Sequence, residues 1–244
     1  MSKRLTRKKL KQKDEFLTTL EKVLKVAALN RSYLIVAGII LLFTAIFASV
    51  GFYYYKDYSK KGSLEYFRDL QLYEVAQKTQ DKKDIMTALH AFEAFKTRFN
   101  LLSISRLASL YMGNCEYMLG DYDKAIIDYK TLVSDLGGKQ GYLSAIANNG
   151  IVQADIAKND CKTAIPLIRT LLNDRNNAFL LLTYVHAVDC YLQMKQPGSA
   201  IDLLKEGLKK YKDNKVIEPQ LTDLITYVKA NGQNNIINFK TRKF

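Results

Sequence analysis

Apolar residues are concentrated in one long stretch near the start of the chain, from Ser32 to Tyr55, which contains no charged residue. A helix of this length rises about 1.5 Å per residue and spans about 35 Å, enough to cross the ~30 Å hydrocarbon layer of a membrane. Aromatic side chains stand at both ends, Tyr33 at the start and residues 52–55 at the finish, as is typical of a membrane interface. The stretch is longer than the apolar part of a cleaved signal peptide and lacks an A-x-A-like cleavage site. The pattern therefore predicts a retained transmembrane helix over residues 32–55.

Beyond this anchor, apolar residues recur at helical spacing in four segments that each begin with a small residue. These small residues lie 37, 39 and 36 positions apart and are Ala88, Ala125, Ala164 and Ala200. A polar, turn-like segment directly precedes each of them, in the order DKKD, GDYDK, KNDCK and KQPGS. This recurrence predicts an all-α solenoid of about four helical pairs over residues 56–230. Its last helix, Ile217 to Ala230, is predicted to close the array, and residues 231–244 to form a flexible tail.

The segment from Met112 to Val133 closely resembles a tetratricopeptide-repeat (TPR) unit. In that family a glycine lets two helices approach closely, a Gly-Asp-Tyr turn follows, and the second helix carries a small alanine and then an aromatic residue. The matching residues in this chain are Gly113, Gly120, Asp121, Tyr122, Ala125 and Tyr129. The resemblance extends from Lys60 to Ala230 and implies that a second helix packs directly on Gly113.

Basic residues are distributed unevenly along the chain. Its formal net charge is +13, and residues 1–31 contain ten Lys and Arg against three Asp and Glu. Because Lys and Arg are retained on the cytoplasmic side of an anchor, residues 1–31 are predicted as a basic cytoplasmic segment and the repeat domain as translocated. Within this segment, Asp14 to Leu29 is predicted to form a short amphipathic helix. Charges of both signs are interspersed over the rest of the chain, which argues against a nucleic-acid partner.

Residues with reactive side chains form no recognisable catalytic or metal-binding pattern. The two histidines, His90 and His186, have no Cys, Asp or Glu at ligand spacing, and nucleotide-binding and hydrolase motifs are absent. The carboxylates of Glu65, Glu74 and Glu116 are interpreted as helix-surface charges. We therefore predict that the protein is not an enzyme and that it binds neither a cofactor nor a metal.

The three cysteines, Cys115, Cys161 and Cys190, lack the C-x-x-C spacing of metal sites, and their odd number argues against a disulfide framework. They are interpreted as small side chains packed within helices. If the domain lies in an oxidising compartment, Cys161–Cys190 is the only pairing to be tested.

A TPR array carries a groove lined by the first helix of each pair, at fixed positions of the motif. Those positions predict a candidate peptide groove made of Tyr73, Gln77, Leu110, Asn114, Tyr117, Asn149, Gln153, Ile156, Val185, Asp189 and Leu192. One row of the groove holds short polar groups suited to an extended peptide backbone, namely Gln77, Asn114, Gln153 and Asp189. The neighbouring row is apolar. The polar row lacks the Lys and Arg with which some TPR proteins hold a C-terminal carboxylate. The alternative interpretation is that these residues only pack one repeat on the next.

The order of basic start, single anchor and degenerate TPR array resembles the bacterial ancillary SecYEG translocon subunit family (YfgM-like), as does the opening LTRKKLKQKDEF. Members of that family are not enzymes; they sit beside the translocon and work with periplasmic chaperones. The resemblance implies an inner-membrane scaffold with a periplasmic C-terminal domain, whose partners are translocon subunits, periplasmic chaperones or emerging chains. Two alternatives share the layout: an envelope-assembly or cell-division coordinator, and an organelle protein-import receptor with a cytosolic TPR domain.

Overall fold

The computed structural model describes residues 21–22, 25, 29–137, 141–174 and 177–231. Most of the predicted amphipathic helix from Asp14 to Leu29 lies outside these residues, and so does the predicted tail beyond Asn231. The described residues contain no strand. Their helices are α1 Arg31–Thr79, α2 Lys82–Arg98, α3 Ser105–Leu119, α4 Tyr122–Asp135, α5 Tyr142–Ala157, α6 Cys161–Asn173, α7 Leu180–Gln193, α8 Pro197–Lys210 and α9 Ile217–Asn231.

Helix α1 contributes to both compact units of the chain, Met1–Lys60 and Lys61–Phe244. In the first unit its apolar side chains are exposed, with 69% of Leu41 and 74% of Phe47 accessible. Within the described ranges, α1 is the one helix long and apolar enough to cross a membrane. A core helix of a soluble protein would bury these side chains. The predicted domain boundary between residues 55 and 56 stays a prediction.

In the second unit the helices form four consecutive pairs and a closing helix. The C-terminal part of α1 pairs with α2, where the rings of Tyr66 and Phe92 lie 6.3 Å apart between centroids. The other pairs are α3 with α4, α5 with α6, and α7 with α8, and α9 packs on both α7 and α8. The closing helix begins at the predicted Ile217 and ends one residue later than predicted. The predicted all-α solenoid of four helical pairs with a closing helix is confirmed.

The same backbone conformation ends the first helix of each described pair. One residue there has a positive φ, in turn Gln80 (53°), Gly120 (83°), Asn159 (60°) and Lys195 (57°). In the last three turns, the next residue donates its backbone N–H to a carbonyl five residues earlier over 2.8–2.9 Å. This bond is typical of a Schellman cap, which satisfies the final carbonyls of a helix. The turn therefore repeats as a conformation; Gly120 and Asn159 have residue types that this conformation favours, whereas Gln80 and Lys195 do not.

An aromatic ring fills the space between neighbouring pairs. The ring of Tyr129 on α4 lies against Gly113 of α3 and Gly150 of α5, and a Cβ at either glycine would be 2.8 Å from a ring carbon. Since carbon atoms normally pack about 3.5–4.0 Å apart, any side chain at these positions would displace the ring. The close approach predicted at Gly113 is confirmed, and Ala125 is fully buried as its position requires.

Candidate peptide groove

The first helices of successive pairs lie side by side. Helix α3 contacts α5 and α5 contacts α7, while Tyr73 of α1 and Tyr111 of α3 have ring centroids 5.0 Å apart. All of the predicted groove residues lie on these four helices. Their burial divides them into two sets, because eight are exposed or half-buried and three are buried, namely Tyr73, Leu110 and Asn149.

A chain of hydrogen bonds crosses from the first pair to the second at one end of the groove. The hydroxyl of Tyr73 accepts bonds from the side-chain amides of Gln77 at 2.9 Å and Asn114 at 3.0 Å. The Oδ1 of Asn114 accepts a bond from the hydroxyl of Tyr129 at 2.8 Å. Burial raises the pKa of Tyr73 to about 12, so its hydroxyl stays protonated at neutral pH. These bonds fix the amide of Asn114, which has a second N–H and further acceptor capacity for a ligand.

A second polar contact, between Tyr117 and Gln153, joins α3 to α5. The hydroxyl of Tyr117 lies beside the side chain of Gln153. The ring of Tyr117 also packs against that of Tyr122, with 5.3 Å between centroids. Tyr117 is half-buried and Gln153 is exposed. Tyr117 and Gln153 therefore present an aromatic ring beside an amide, which suits an extended chain with apolar side chains and a polar backbone.

Three predicted groove residues pack the repeats instead of facing a ligand. Asn149 is buried; its amide donates to the carbonyl of Ala145 at 2.8 Å and accepts a bond from the hydroxyl of Thr183 at 3.4 Å. Tyr73 and Leu110 expose 8% and 7% of their surface. The prediction that these three line the groove is wrong, because neighbouring helices cover them.

The far end of the groove is less polar. Val185 and Asp189 on α7 are half-buried, and the half-buried Ile156 and Leu192 pack against the core of the last repeats. Asp189 is the single acid among the predicted groove residues, and burial raises its pKa to about 6. Its carboxylate is therefore mostly ionised at neutral pH and poorly hydrated, so it would accept hydrogen bonds from a donor of the ligand.

Two acidic side chains face each other between α3 and α4. Glu116 of α3, only 7% exposed, lies beside the half-buried Asp128 of α4. Burial and the charge of Asp128 raise the pKa of Glu116 to about 8, so the pair holds a proton at neutral pH. The interpretation of Glu116 as a surface charge is wrong, because α4 covers it.

The other two carboxylates that were interpreted as surface charges lie on α1. Glu74 is exposed as expected, whereas Glu65 is half-buried in an ion pair with Arg98 at 3.1 Å.

The two histidines differ in their burial. His90 is exposed and its Nδ1 lies 2.9 Å from a carboxylate oxygen of Glu93. His186 is buried, and burial lowers its pKa to about 4, which keeps the ring neutral. In the part of the chain that the structure describes, no three His, Cys, Asp or Glu side chains are grouped to hold a metal ion.

Residues 31–226 match the family described as a tetratricopeptide repeat-like domain. The chain belongs to this family. The matched region of this TPR-like protein contains the apolar part of α1 and all four helical pairs. No curated protein and no solved structure matches the chain. Helical arrays of this kind are typically non-catalytic scaffolds that bind protein partners on an extended concave surface.

Proposed function

We propose that this TPR-like protein is a non-enzymatic scaffold, anchored in the bacterial inner membrane, which holds extended segments of protein partners in its groove. The observation that carries the proposal is the row Asn114, Tyr117 and Gln153 on adjacent first helices. Hydrogen bonds fix Asn114, the ring of Tyr117 packs on Tyr122 beside Gln153, and each of the three keeps surface accessible to a ligand. Since the ordering cost is met before binding, such a row binds an extended chain more favourably than mobile side chains would.

The proposed anchor is the segment Ser32 to Tyr55 of α1. Its support is the exposure of its apolar side chains together with the basic residues that precede it. The excess of Lys and Arg in residues 1–31 favours a cytoplasmic N-terminus and a periplasmic repeat domain. Anchoring confines the groove to the membrane surface and raises its effective concentration toward membrane-bound partners, so weak contacts suffice.

The proposed partners are subunits of the Sec translocon, periplasmic chaperones and chains emerging from the translocon. The support for this choice is the resemblance in layout to ancillary translocon subunits: basic start, single anchor and degenerate repeats. The groove chemistry agrees with it, because amides and a tyrosine ring accept many sequences. A groove with few charges discriminates little between side chains and suits partly apolar segments in transit.

Site-specific photo-cross-linking in cells tests the proposal. A photoreactive phenylalanine analogue replaces Gln153, which is exposed in the groove, and separately replaces Ile127, which is 62% exposed on α4, a second helix. We expect adducts with translocon subunits, chaperones or secretory chains from position 153 and few from position 127. Equal adducts at both positions, or none at 153, would contradict groove binding. Adducts with division or outer-membrane assembly proteins would instead favour the coordinator function.

A further inference from the structure

Two of the three cysteines meet at the junction between the third and fourth helical pairs. Cys161 is the first residue of α6, and Cys190 lies near the end of α7. Both pack in the buried core of the last repeats, and the thiol of Cys161 contacts Gln193, about one helical turn from Cys190, although 29 positions separate the two cysteines in the chain. The contact joins the second helix of one pair to the first helix of the next. Cys115 lies on α3, in the second pair.

The surroundings of the two sulfur atoms distinguish their reactivities. The thiol of Cys161 also donates to the Oε1 of Gln193 at 3.2 Å. The hydrogen bond from Cys190 holds the pKa of Cys161 below its usual value, whereas that same contact and burial raise the pKa of Cys190. Burial raises the pKa of Cys115 to about 12. Cys161 is therefore the thiol that ionises first; it is 2% exposed and occupies the first position of α6.

We propose that Cys161 and Cys190 form a disulfide that joins α6 to α7 when the protein meets a disulfide oxidant. The thiolate of Cys161 attacks one sulfur of the oxidant, forms a mixed disulfide and releases the other sulfur as a thiolate. The thiolate of Cys190 then attacks the sulfur of Cys161 and releases the second oxidant thiolate. The two protons lost by the cysteines go to the two released thiolates, so the protein is oxidised by two electrons and the oxidant is reduced by two.

The bond would fix the last part of the array. It would close the chain between residues 161 and 190, which contains the connection from α6 to α7. The groove residues Val185 and Asp189 lie on α7, so their position relative to the third pair would be restrained. In the cell the reaction depends on the proposed periplasmic location, where disulfides persist. The oxidation of purified protein in solution does not depend on where the protein lies in the cell.

Oxidation of the purified full chain in detergent tests the proposal. The protein is equilibrated with oxidised glutathione or with dithiothreitol, unfolded in an alkylating reagent, digested with trypsin and analysed by mass spectrometry. We expect a linked pair of peptides, residues 159–162 with residues 176–195, after oxidation only, while Cys115 is alkylated in both samples. The oxidised protein should also melt about 5 °C or more above the reduced protein, since the disulfide restrains the unfolded chain.

Three variants separate this disulfide from other effects of oxidation. Cys115→Ser should retain both the linked peptides and the increase in melting temperature. Cys190→Ser and Cys161→Ser should abolish both, and circular dichroism checks that each variant is folded. The proposal is overturned if both Cys161 and Cys190 are still alkylated after equilibration with the oxidant, or if Cys115 replaces one of them in the link. A failure of partner capture in the groove would leave this result unchanged.

Discussion

The ring of Tyr129 occupies the space beside Gly113, so that a Cβ on the glycine would lie 2.8 Å from the Cε1 of the tyrosine. Gly113→Leu is therefore expected to lower the free energy of unfolding by about 1–3 kcal/mol through overpacking. Ala125→Leu, at a fully buried position, should have a similar effect. Urea unfolding followed by circular dichroism measures both.

The matched control is Gly198→Ala at the second residue of α8, where a Cβ would meet no atom within 4 Å. This variant should unfold at the same urea concentration as the parent or at a higher one, because alanine favours a helix over glycine. If Gly113→Leu and Ala125→Leu also unfold like the parent, the repeat register assigned from the alanines is wrong.

The repeat fold was predictable because packing restricts one residue per pair to a small side chain. Ala88, Ala125, Ala164 and Ala200 are all fully buried in the structure, and their spacing marks the second helices. The apolar part of α1 was equally clear, because no other stretch of the chain lacks charge for so long. Both signals depend on residue type alone and not on knowing which helix lies opposite.

The candidate groove was predictable only in part, because exposure depends on contacts from neighbouring helices. Asn149 resembles Asn114 as a sequence position, yet the hydroxyl of Thr183 on α7 covers its amide. Glu116 has the polarity of a surface residue, yet it faces Asp128 on α4. Neither partner can be identified from helical periodicity, which places a residue on a face of its own helix and says nothing of what covers that face.

The left-handed turns give a second prediction. Lys195 has φ 57°, a conformation that costs a residue with a side chain about 1 kcal/mol relative to glycine. Lys195→Gly should therefore raise the free energy of unfolding by up to about 1 kcal/mol, measured by urea unfolding. Gly120→Ala is the reciprocal variant and should lower it by about the same amount. A stabilising effect of Gly120→Ala would contradict the shared turn conformation.

The acid pair of Glu116 and Asp128 gives a pH-dependent prediction. Burial and Asp128 raise the pKa of Glu116 to about 8, so the folded state binds this proton more tightly than the unfolded state does. The corresponding stability is present below the unfolded pKa of about 4.3 and is lost as the pH rises toward about 8. Glu116→Gln removes this term, so the variant should gain at least about 1 kcal/mol relative to the parent between about pH 5 and about pH 8.

Urea unfolding of the parent and the variant at several pH values measures this difference. Lys124 lowers the pKa of Glu116 and Glu93 raises it further, and both stay in the variant, so the comparison reports on the Glu116–Asp128 pair. Glu74→Gln, an exposed carboxyl on α1, is the control and should show no comparable trend. A difference between Glu116→Gln and the parent that does not vary with pH would mean that Glu116 is ionised throughout.

The basic residues before the anchor predict the topology. Protease added to spheroplasts should degrade residues 61–244 and spare residues 1–31, because the excess of Lys and Arg retains the N-terminal flank in the cytoplasm. Epitope tags at the two ends report the two fragments on immunoblots. Detergent lysis is the control and should expose both ends. Protection of the repeat domain in intact spheroplasts would reverse the proposed orientation.

The groove gives the last prediction, which concerns partner capture. In protein interfaces a few aromatic side chains contribute most of the binding free energy, and Tyr117 is the half-buried aromatic residue of the predicted groove. Tyr117→Ala is therefore expected to weaken capture about tenfold or more, and Asp189→Ala by less. Quantitative mass spectrometry of partners that co-purify in mild detergent measures both effects.

The double change Tyr117→Ala with Gln153→Ala tests the same surface more strictly, because it removes a ring and the neighbouring amide together. Leu110→Ala is unsuitable for this purpose, since Leu110 is buried and its truncation would destabilise the fold itself. Ile127→Ala on α4 is the control for an exposed apolar residue outside the groove and should retain every partner. If the double variant folds, inserts into the membrane and also retains every partner, the groove residues only pack the repeats. Partners would then have to bind the apolar part of α1 or the outer faces of the second helices.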